Sequence, residues 1–199
     1  YREITATRLK AQNTLSIEDC LTIDLQNTFV VYCNQMEIVF DSSTLILLAK
    51  VEILTLVSED IQITIPETIK TECTGKDLFD AKLISSLVTN GRIKVITASK
   101  KEAIERLCKD FKIHTGEAEA LALALKRKLP LATDDLLTIK ACKILNQHFT
   151  TAIHFLINIV EKGKINKDIA FVKLEKLSLY GRYSKRIIDD AFKRLKGDE

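Results

Sequence analysis

The sequence contains little proline and glycine and no tryptophan. Its 199 residues include two prolines, six glycines and one methionine. So few chain-breaking residues exclude collagen-like and Pro- or Gly-rich low-complexity proteins. Hydrophobic residues make up 46% of the chain and charged residues 29%, which is typical of a globular, helix-rich protein. The length suits one α/β domain with room for a small appendage.

Long apolar runs and paired cysteines are also lacking. The longest unbroken apolar stretch, residues 120–125, is too short to span a bilayer. No secretory signal is visible, so we expect a cytoplasmic protein that does not contact a membrane. The five cysteines occur singly, which argues against a zinc site and indicates reduced thiols. The sequence begins with Tyr1 and not Met, which is consistent with further residues upstream.

The net charge of +3 is too small to identify nucleic-acid binding by itself. Positive charge is concentrated near the C-terminus, at Arg182, Lys185, Arg186, Lys193, Arg194 and Lys196. Such a cluster is either a solvated helix face or a patch that contacts phosphates. The sequence does not favour one reading over the other.

Strand and helix patterns alternate from residue 36 onwards. Strands are predicted at 38–40, 61–65, 93–96, 131–133 and 149–152, with helices between them at 44–56, from 66, at 77–88, from Ser99, at 116–128 and at 136–145. Three more helices, at 153–161, 169–179 and 184–196, predict a C-terminal helical cap. The alternation favours an α/β domain with a parallel sheet over residues 36–199. Residues 1–35, with a possible helix at 15–21 and strand at 28–33, form an extension of unknown role.

Four carboxylates are placed where these strands and helices meet: Asp41, Glu72, Glu117 and Asp134. Carboxyl ends of parallel strands share one edge of a sheet, where open α/β folds bind ligands. Carboxylates that converge there can hold Mg²⁺ or Mn²⁺, which prefer oxygen ligands. The pattern therefore points to a metal-dependent nuclease.

Asp41 and Glu72 each allow two interpretations. Asp41 directly follows a strand, so it either caps the next helix or faces the sheet edge. Glu72 is three and seven residues from Ile69 and Ile65, near the apolar side of its helix. We therefore expect an inward-facing carboxylate that must be paired or bound to metal.

Glu117 begins an Ala-rich helix, where the helix dipole favours a carboxylate. Glu119 is the second choice there, because it should point to a different face. Asp134 and Asp135 form a tandem pair after a strand, and one of them should cap the following helix while the other faces the sheet edge. We favour Asp134 for the site because it follows the strand directly. The three histidines share no recognisable catalytic spacing: His114, His148 and His154.

Four segments of this chain resemble the PIN-domain family of ribonucleases. They are Ile-Val-Phe-Asp-Ser-Ser-Thr-Leu-Ile at 38–46, Ile-Pro-Glu-Thr-Ile-Lys-Thr-Glu at 65–72, Gly-Glu-Ala-Glu-Ala-Leu-Ala-Leu-Ala at 116–124 and Ala-Thr-Asp-Asp at 132–135. The likeness covers roughly residues 36–180 and is closest to a prokaryotic toxin-like subgroup. Two features depart from the family: the N-terminal extension, and the absence of the usual Arg after the Asp-Asp turn, with Lys140 nearby instead.

The resemblance implies a three-layer α/β/α sandwich around a central parallel sheet, and Mg²⁺- or Mn²⁺-dependent cleavage of RNA. Its catalytic acids would be Asp41, Glu72, Glu117 and Asp134, with Asp135 as a further metal ligand. Ser43 and Thr133 could add hydroxyls near the metal. Contacts to RNA phosphates would come from Lys140, Arg182, Lys185 and Arg186. A small antitoxin protein and a second copy of the chain are the partners implied.

Two rival hypotheses stay open from the sequence. The first is a PIN-like module that keeps its acids but mainly binds RNA or protein, with weak or no catalysis. The second is another kind of nucleotide-binding α/β protein, although neither Gly-x-Gly-x-x-Gly nor Gly-x-x-x-x-Gly-Lys-Ser/Thr occurs in the chain.

Overall fold

The structure, a computed structural model, describes residues 36–75, 77–97 and 101–197. Within these ranges five strands form a single sheet: β1 (Met36–Phe40), β2 (Ile61–Pro66), β3 (Ile93–Ile96), β4 (Leu131–Ala132) and β5 (Phe149–Thr150). The predicted strands are confirmed, although β4 and β5 are shorter than expected. The helix and strand predicted within residues 1–35, and the helix start at Ser99, fall outside the described ranges.

Ten helices accompany the sheet in the described ranges: α1 (Ser42–Lys50), α2 (Leu54–Asp60), α3 (Glu67–Thr74), α4 (Phe79–Thr89), α5 (Lys101–Phe111), α6 (Thr115–Arg127), α7 (Leu136–Leu145), α8 (Ala152–Glu161), α9 (Lys167–Tyr180) and α10 (Lys185–Lys196). The helical segment predicted at 44–56 consists of two helices. They are separated by a turn in which Glu52 has a φ of 60°, a left-handed conformation that ends α1 and redirects the chain.

All strand pairs are parallel, and the order across the sheet is β3-β2-β1-β4-β5. The chain runs outward from β1 to β3 and then crosses to β4 on the other side of β1. The order of the strands therefore reverses between β1 and β4. At such a reversal the connections leave in opposite directions and open a crevice at the carboxyl ends of the strands.

The sheet is the centre of the core. Ile38, Val39 and Phe40 are fully buried, as expected for a parallel strand covered on both faces. Phe40 stacks on Phe155 of α8 with ring centroids 5.3 Å apart. These contacts confirm the α/β sandwich with a central parallel sheet, and they join α8 of the C-terminal cap to it.

The three C-terminal helices pack on the sandwich and on one another. Phe171 of α9 stacks on Phe192 of α10 at 5.4 Å. Lys173 of α9 donates a hydrogen bond to the carbonyl of Val51 at 2.8 Å, next to the end of α1. Among the described helices, none is long and apolar enough to cross a membrane.

Candidate active site

Asp41 lies at the end of β1, beside β4, and is fully buried. Its Oδ1 accepts hydrogen bonds from the Ser43 hydroxyl at 2.7 Å and from the backbone N–H of Thr44 at 3.0 Å. Its Oδ2 accepts a hydrogen bond from the Thr133 hydroxyl. Asp41 therefore caps α1 and also lies in the crevice between β1 and β4, so both sequence interpretations hold together.

The pKa of Asp41 is raised to about 7, chiefly by burial and to a smaller extent by the negative charge of Asp134. The hydrogen bonds from Thr133, Thr44 and Ser43 oppose this rise but do not cancel it. The carboxylate of Asp41 is shielded from solvent and lies near the negative charge of Asp134. A bound cation would favour its ionised form.

Both carboxylate oxygens of Asp134, the residue after Thr133, accept hydrogen bonds from protein groups. Its Oδ1 accepts from the Tyr183 hydroxyl and from the backbone N–H of Ala152 at 3.3 Å. Its Oδ2 accepts from the Thr44 hydroxyl at 2.7 Å and from the same N–H at 3.0 Å. Each oxygen therefore makes two contacts, and these come from three donors because the N–H of Ala152 is shared between the two oxygens. Asp134 thus ties β4 to α1, to the start of α8 and to the connection between α9 and α10.

Asp135 has a different environment from its neighbour. Its Oδ1 caps α7 by accepting from the backbone N–H of Thr138 at 2.8 Å and from that residue's hydroxyl at 3.0 Å. Among the described residues, no donor contacts its Oδ2. Asp135 therefore keeps one carboxylate oxygen without a protein donor, whereas each oxygen of Asp134 makes two such contacts.

Glu117 occupies the first turn of α6, where its Oε2 accepts from the backbone N–H of His114 at 2.7 Å. Burial raises the pKa of Glu117, and the negative charges of Asp135 and Glu72 raise it as well. The carboxylates of Glu72, Glu117 and Asp135 therefore share one electrostatic environment, although they come from three different helices or helix starts.

Glu72 is exposed, so the expectation of an inward-facing carboxylate is wrong. Ile69 and Cys73 are the buried residues of α3. The apolar side of this short helix therefore faces away from Glu72. The carboxylate of Glu72 nevertheless lies against α6, because a β-carbon added at Gly116 would be 2.6 Å and 2.9 Å from its two oxygens.

The donor set suits a hard divalent cation, since it consists of carboxylate and hydroxyl oxygens without sulfur or imidazole. Within the described residues, no three Asp, Glu, His or Cys side chains are already arranged around one point. Glu72 is exposed and Glu117 is only partly buried, so both can rotate toward an ion. Besides burial, repulsion from Asp135 and Glu72 raises the pKa of Glu117. A bound cation would offset this repulsion.

The basic residues proposed for RNA contact are exposed. Lys140 lies on α7, and Arg182 precedes Tyr183, the residue that contacts Asp134. Arg186 is 3.9 Å from Asp190 one helical turn away, and both side chains are largely solvated. The basic segment therefore starts beside the acidic crevice and continues along α10.

Three residues of this site were not predicted as its members: Thr44, Gly116 and Tyr183. Each acts by contact with a carboxylate distant in sequence; Tyr183, for example, is 49 residues from Asp134. The segment Tyr180-Gly181-Arg182-Tyr183 separates two helical patterns in the sequence, but its spacing does not reveal which carboxylate it meets.

Tyr183→Phe should lower the free energy of unfolding by about 1–3 kcal/mol, because it removes one donor from the enclosed carboxylate of Asp134. Denaturant unfolding checks this. Tyr180→Phe is the matched control, since Tyr180 is 53% exposed and its change should stay within about 0.5 kcal/mol. Equal stability of the two variants would show that the Tyr183 hydroxyl does not stabilise the fold.

Gly116→Ala should weaken Mn²⁺ binding without destabilising the protein. The added β-carbon displaces the carboxylate of Glu72, which is the mobile end of an exposed side chain, while alanine favours the helix by up to about 1 kcal/mol. Calorimetry with Mn²⁺ and thermal unfolding measure the two effects separately. Unchanged Mn²⁺ affinity would remove Glu72 from the ligand set.

Comparison with known proteins gives a match to one protein family. A family model described as a PIN domain matches residues 37–196. No curated protein matches the chain.

Proposed function

Because the chain belongs to the PIN-domain family, whose members are generally nucleases that use divalent metals, we propose that it is an Mg²⁺- or Mn²⁺-dependent endoribonuclease. The observation that supports this most is the group of carboxylates at the crevice between β1 and β4. Asp41 and Asp135 follow these two neighbouring strands, while Glu72 and Glu117 approach from α3 and α6.

We assign the ligand role to Asp41, Glu72, Glu117 and Asp135. Bound there, the cation would lower the pKa of a water molecule, polarise a phosphoryl oxygen and offset the charge of the transition state. Ser43 and Thr44 hold Oδ1 of Asp41, while its Oδ2 accepts a hydrogen bond from Thr133 alone and so keeps a lone pair for the ion. Glu72 and Glu117 are less enclosed and would adjust to the ion or to its bound water.

Asp134 would then act as a positioning residue. Its carboxylate is occupied by donors from three other parts of the fold. By fixing the end of β4, it fixes the backbone from which Asp135 extends. This division of roles differs from the sequence prediction, which preferred Asp134 to Asp135 as the ligand.

Substrate phosphates would be held by the exposed cations beside the crevice: Lys140, Arg182, Lys185 and Arg186. Contacts of this kind release counterions, so RNA affinity should fall as salt concentration rises. A PIN-like module that only binds RNA is less well supported, because a binding module has no need for several carboxylates in the crevice that repel one another.

We further propose, from the motifs shared with the toxin-like subgroup, that the enzyme is cytoplasmic and is neutralised by a small antitoxin protein, and that it forms a homodimer. A gene for a small DNA-binding protein beside the gene for this chain would support the first part. Light scattering of the purified chain tests the dimer.

The ribonuclease proposal is tested by incubating the protein with a single-stranded RNA and with DNA of the same sequence. We expect cleavage of the RNA with Mn²⁺ or Mg²⁺ and none with a chelator. Cleavage that persists in the chelator would contradict the metal requirement. DNA cleaved faster than RNA would contradict the assigned substrate.

A further inference from the structure

A cavity of about 730 Å³ lies between α5 and α6, on a different side of α6 from Glu117. Ile104 and Cys108 of α5 give it an apolar wall, and Glu119 of α6 lines its interior. Lys101 and Lys109 stand at its rim, and both are exposed. With Glu105, also at the rim, the cavity combines an apolar surface, two carboxylates and two cations.

Glu119 is the residue of this cavity that most needs an explanation. Its side chain is only 9% exposed, and its Oε2 has no contact with water and no hydrogen-bond donor among the described residues. A buried carboxylate without a donor is unfavourable by more than an ordinary unsatisfied polar group. Oε2 has almost no exposed surface, so it can meet a ligand only after rotation about the last torsion of the side chain, which is soft. N–H groups of a ligand that meet it in this way would relieve that penalty.

The lysines indicate what else the ligand carries. Lys109 forms no ion pair within the described part of the chain, and Lys101 is 3.9 Å from Glu105, at the limit of an ion pair. Glu105 offsets Lys101, so Lys109 is the rim cation that opposes the entry of an arginine or lysine side chain from a partner protein. Together with Glu119 it favours a ligand whose donor-bearing group is joined to a negatively charged one.

We propose that this cavity binds one nucleotide of the RNA substrate, with guanine as its preferred base. Guanine presents two adjacent donors, N1–H and the N2 amino group, and a carboxylate only accepts, so the two edges are complementary. Ile104 and Cys108 contact the face of the base. Lys101 and Lys109 contact the flanking phosphates.

The position of the cavity relative to the acidic crevice fits this role. Thr115, which lines the cavity, and Glu117, which belongs to the crevice, are in the same first turn of α6. An RNA strand that passes the N-terminal end of α6 would place one nucleotide in the cavity and another at the crevice. The inference rests on the proposed ribonuclease function for its substrate, but it concerns binding and not the chemical step.

The test measures binding of short fluorescent single-stranded RNAs by anisotropy in a chelator, so that neither cleavage nor metal affects the result. One RNA contains a single guanosine, and the other has inosine at that position, which lacks the N2 amino group. We expect the guanosine RNA to bind about tenfold more tightly to the wild type. Glu119→Gln should abolish this preference, while Glu105→Gln, an exposed change on the cavity rim, should keep it.

Lys109→Ala provides a second measurement. This variant should bind both RNAs more weakly, by the same factor, because a phosphate contact does not distinguish between bases. Equal affinity of the wild type for the two RNAs, or a preference that Glu119→Gln retains, would overturn the proposal. GMP that binds as tightly as the RNA would assign the cavity to free nucleotides and not to a strand. An arginine-containing peptide that displaces the RNA from this cavity would likewise overturn it.

The same assay separates this inference from the function on which it rests. If Glu119→Gln loses the guanine preference but the wild type does not cleave RNA in Mn²⁺, the ribonuclease proposal is contradicted and the nucleotide site is supported. If the wild type cleaves RNA but binds it without any base preference, the ribonuclease proposal is supported and the nucleotide site is contradicted.

Discussion

Asp135→Asn should reduce metal-dependent RNA cleavage by at least about a hundredfold, since changes one contact further from a metal already reduce activity or affinity about 10–100-fold. The variant loses the charge of the one carboxylate at the end of β4 that keeps an available oxygen. The cap of α7 should survive, because the amide oxygen of asparagine can still accept from Thr138. Stability should therefore change little.

Asp134→Asn should show the opposite pattern. Its carboxylate accepts from Thr44, Ala152 and Tyr183, and an amide in its place turns an NH₂ group toward some of these donors. We expect a loss of about 2–4 kcal/mol in the free energy of unfolding. Cleavage and Mn²⁺ binding should be affected less than in Asp135→Asn once both proteins are fully folded.

Cleavage rates in Mn²⁺ and denaturant unfolding at one pH compare the two variants directly. Asp168→Asn is a control for both, because Asp168 is exposed in the first turn of α9. A larger loss of Mn²⁺ affinity in Asp134→Asn than in Asp135→Asn would return the ligand role to Asp134.

The metal-free protein should lose stability as the pH rises from about 4 to about 7. The pKa of Asp41 is about 7 in the folded state and 3.8 in the reference state, so between these values the folded protein holds a proton that the unfolded chain has released. The free energy of unfolding therefore falls with rising pH, by at most about 4 kcal/mol. Below pH 4 and above pH 7, Asp41 contributes no further slope.

Denaturant unfolding at several pH values in a chelator measures this slope. Asp41→Asn should reduce it, because asparagine does not titrate, and should leave the metal-free protein relatively more stable at pH 8. Saturating Mn²⁺ should flatten the slope in the wild type, since the ion favours the ionised carboxylate. Equal slopes in the wild type and in Asp41→Asn would show that Asp41 titrates normally.

The position of the acids along the chain could be predicted because parallel sheets place strand ends together. Asp41 follows β1 and the Asp134–Asp135 pair follows β4, and these strands are neighbours. The alternation of apolar strands and helices was enough to establish this edge. The order of strands that creates the crevice could not be read from this alternation.

The role of each acid could not be predicted, because it depends on donors that come from distant parts of the chain. Asp134 and Asp135 are equivalent in sequence, and they differ only through contacts with Tyr183, Ala152 and Thr138. Glu72 was misplaced for a related reason. Spacing from Ile69 and Ile65 ignored Cys73, which is also buried and shifts the apolar side of α3.

The most direct test of the proposed metal-dependent ribonuclease is the rate of RNA cleavage in Mn²⁺ by the wild type and by Asp41→Asn, purified in parallel. Asp41 is the most enclosed carboxylate of the crevice, and its replacement removes a ligand while keeping the shape of the side chain. We predict cleavage by the wild type and a rate at least about a hundredfold lower in the variant. Equal rates in the two proteins would contradict the assignment of the crevice as the active site.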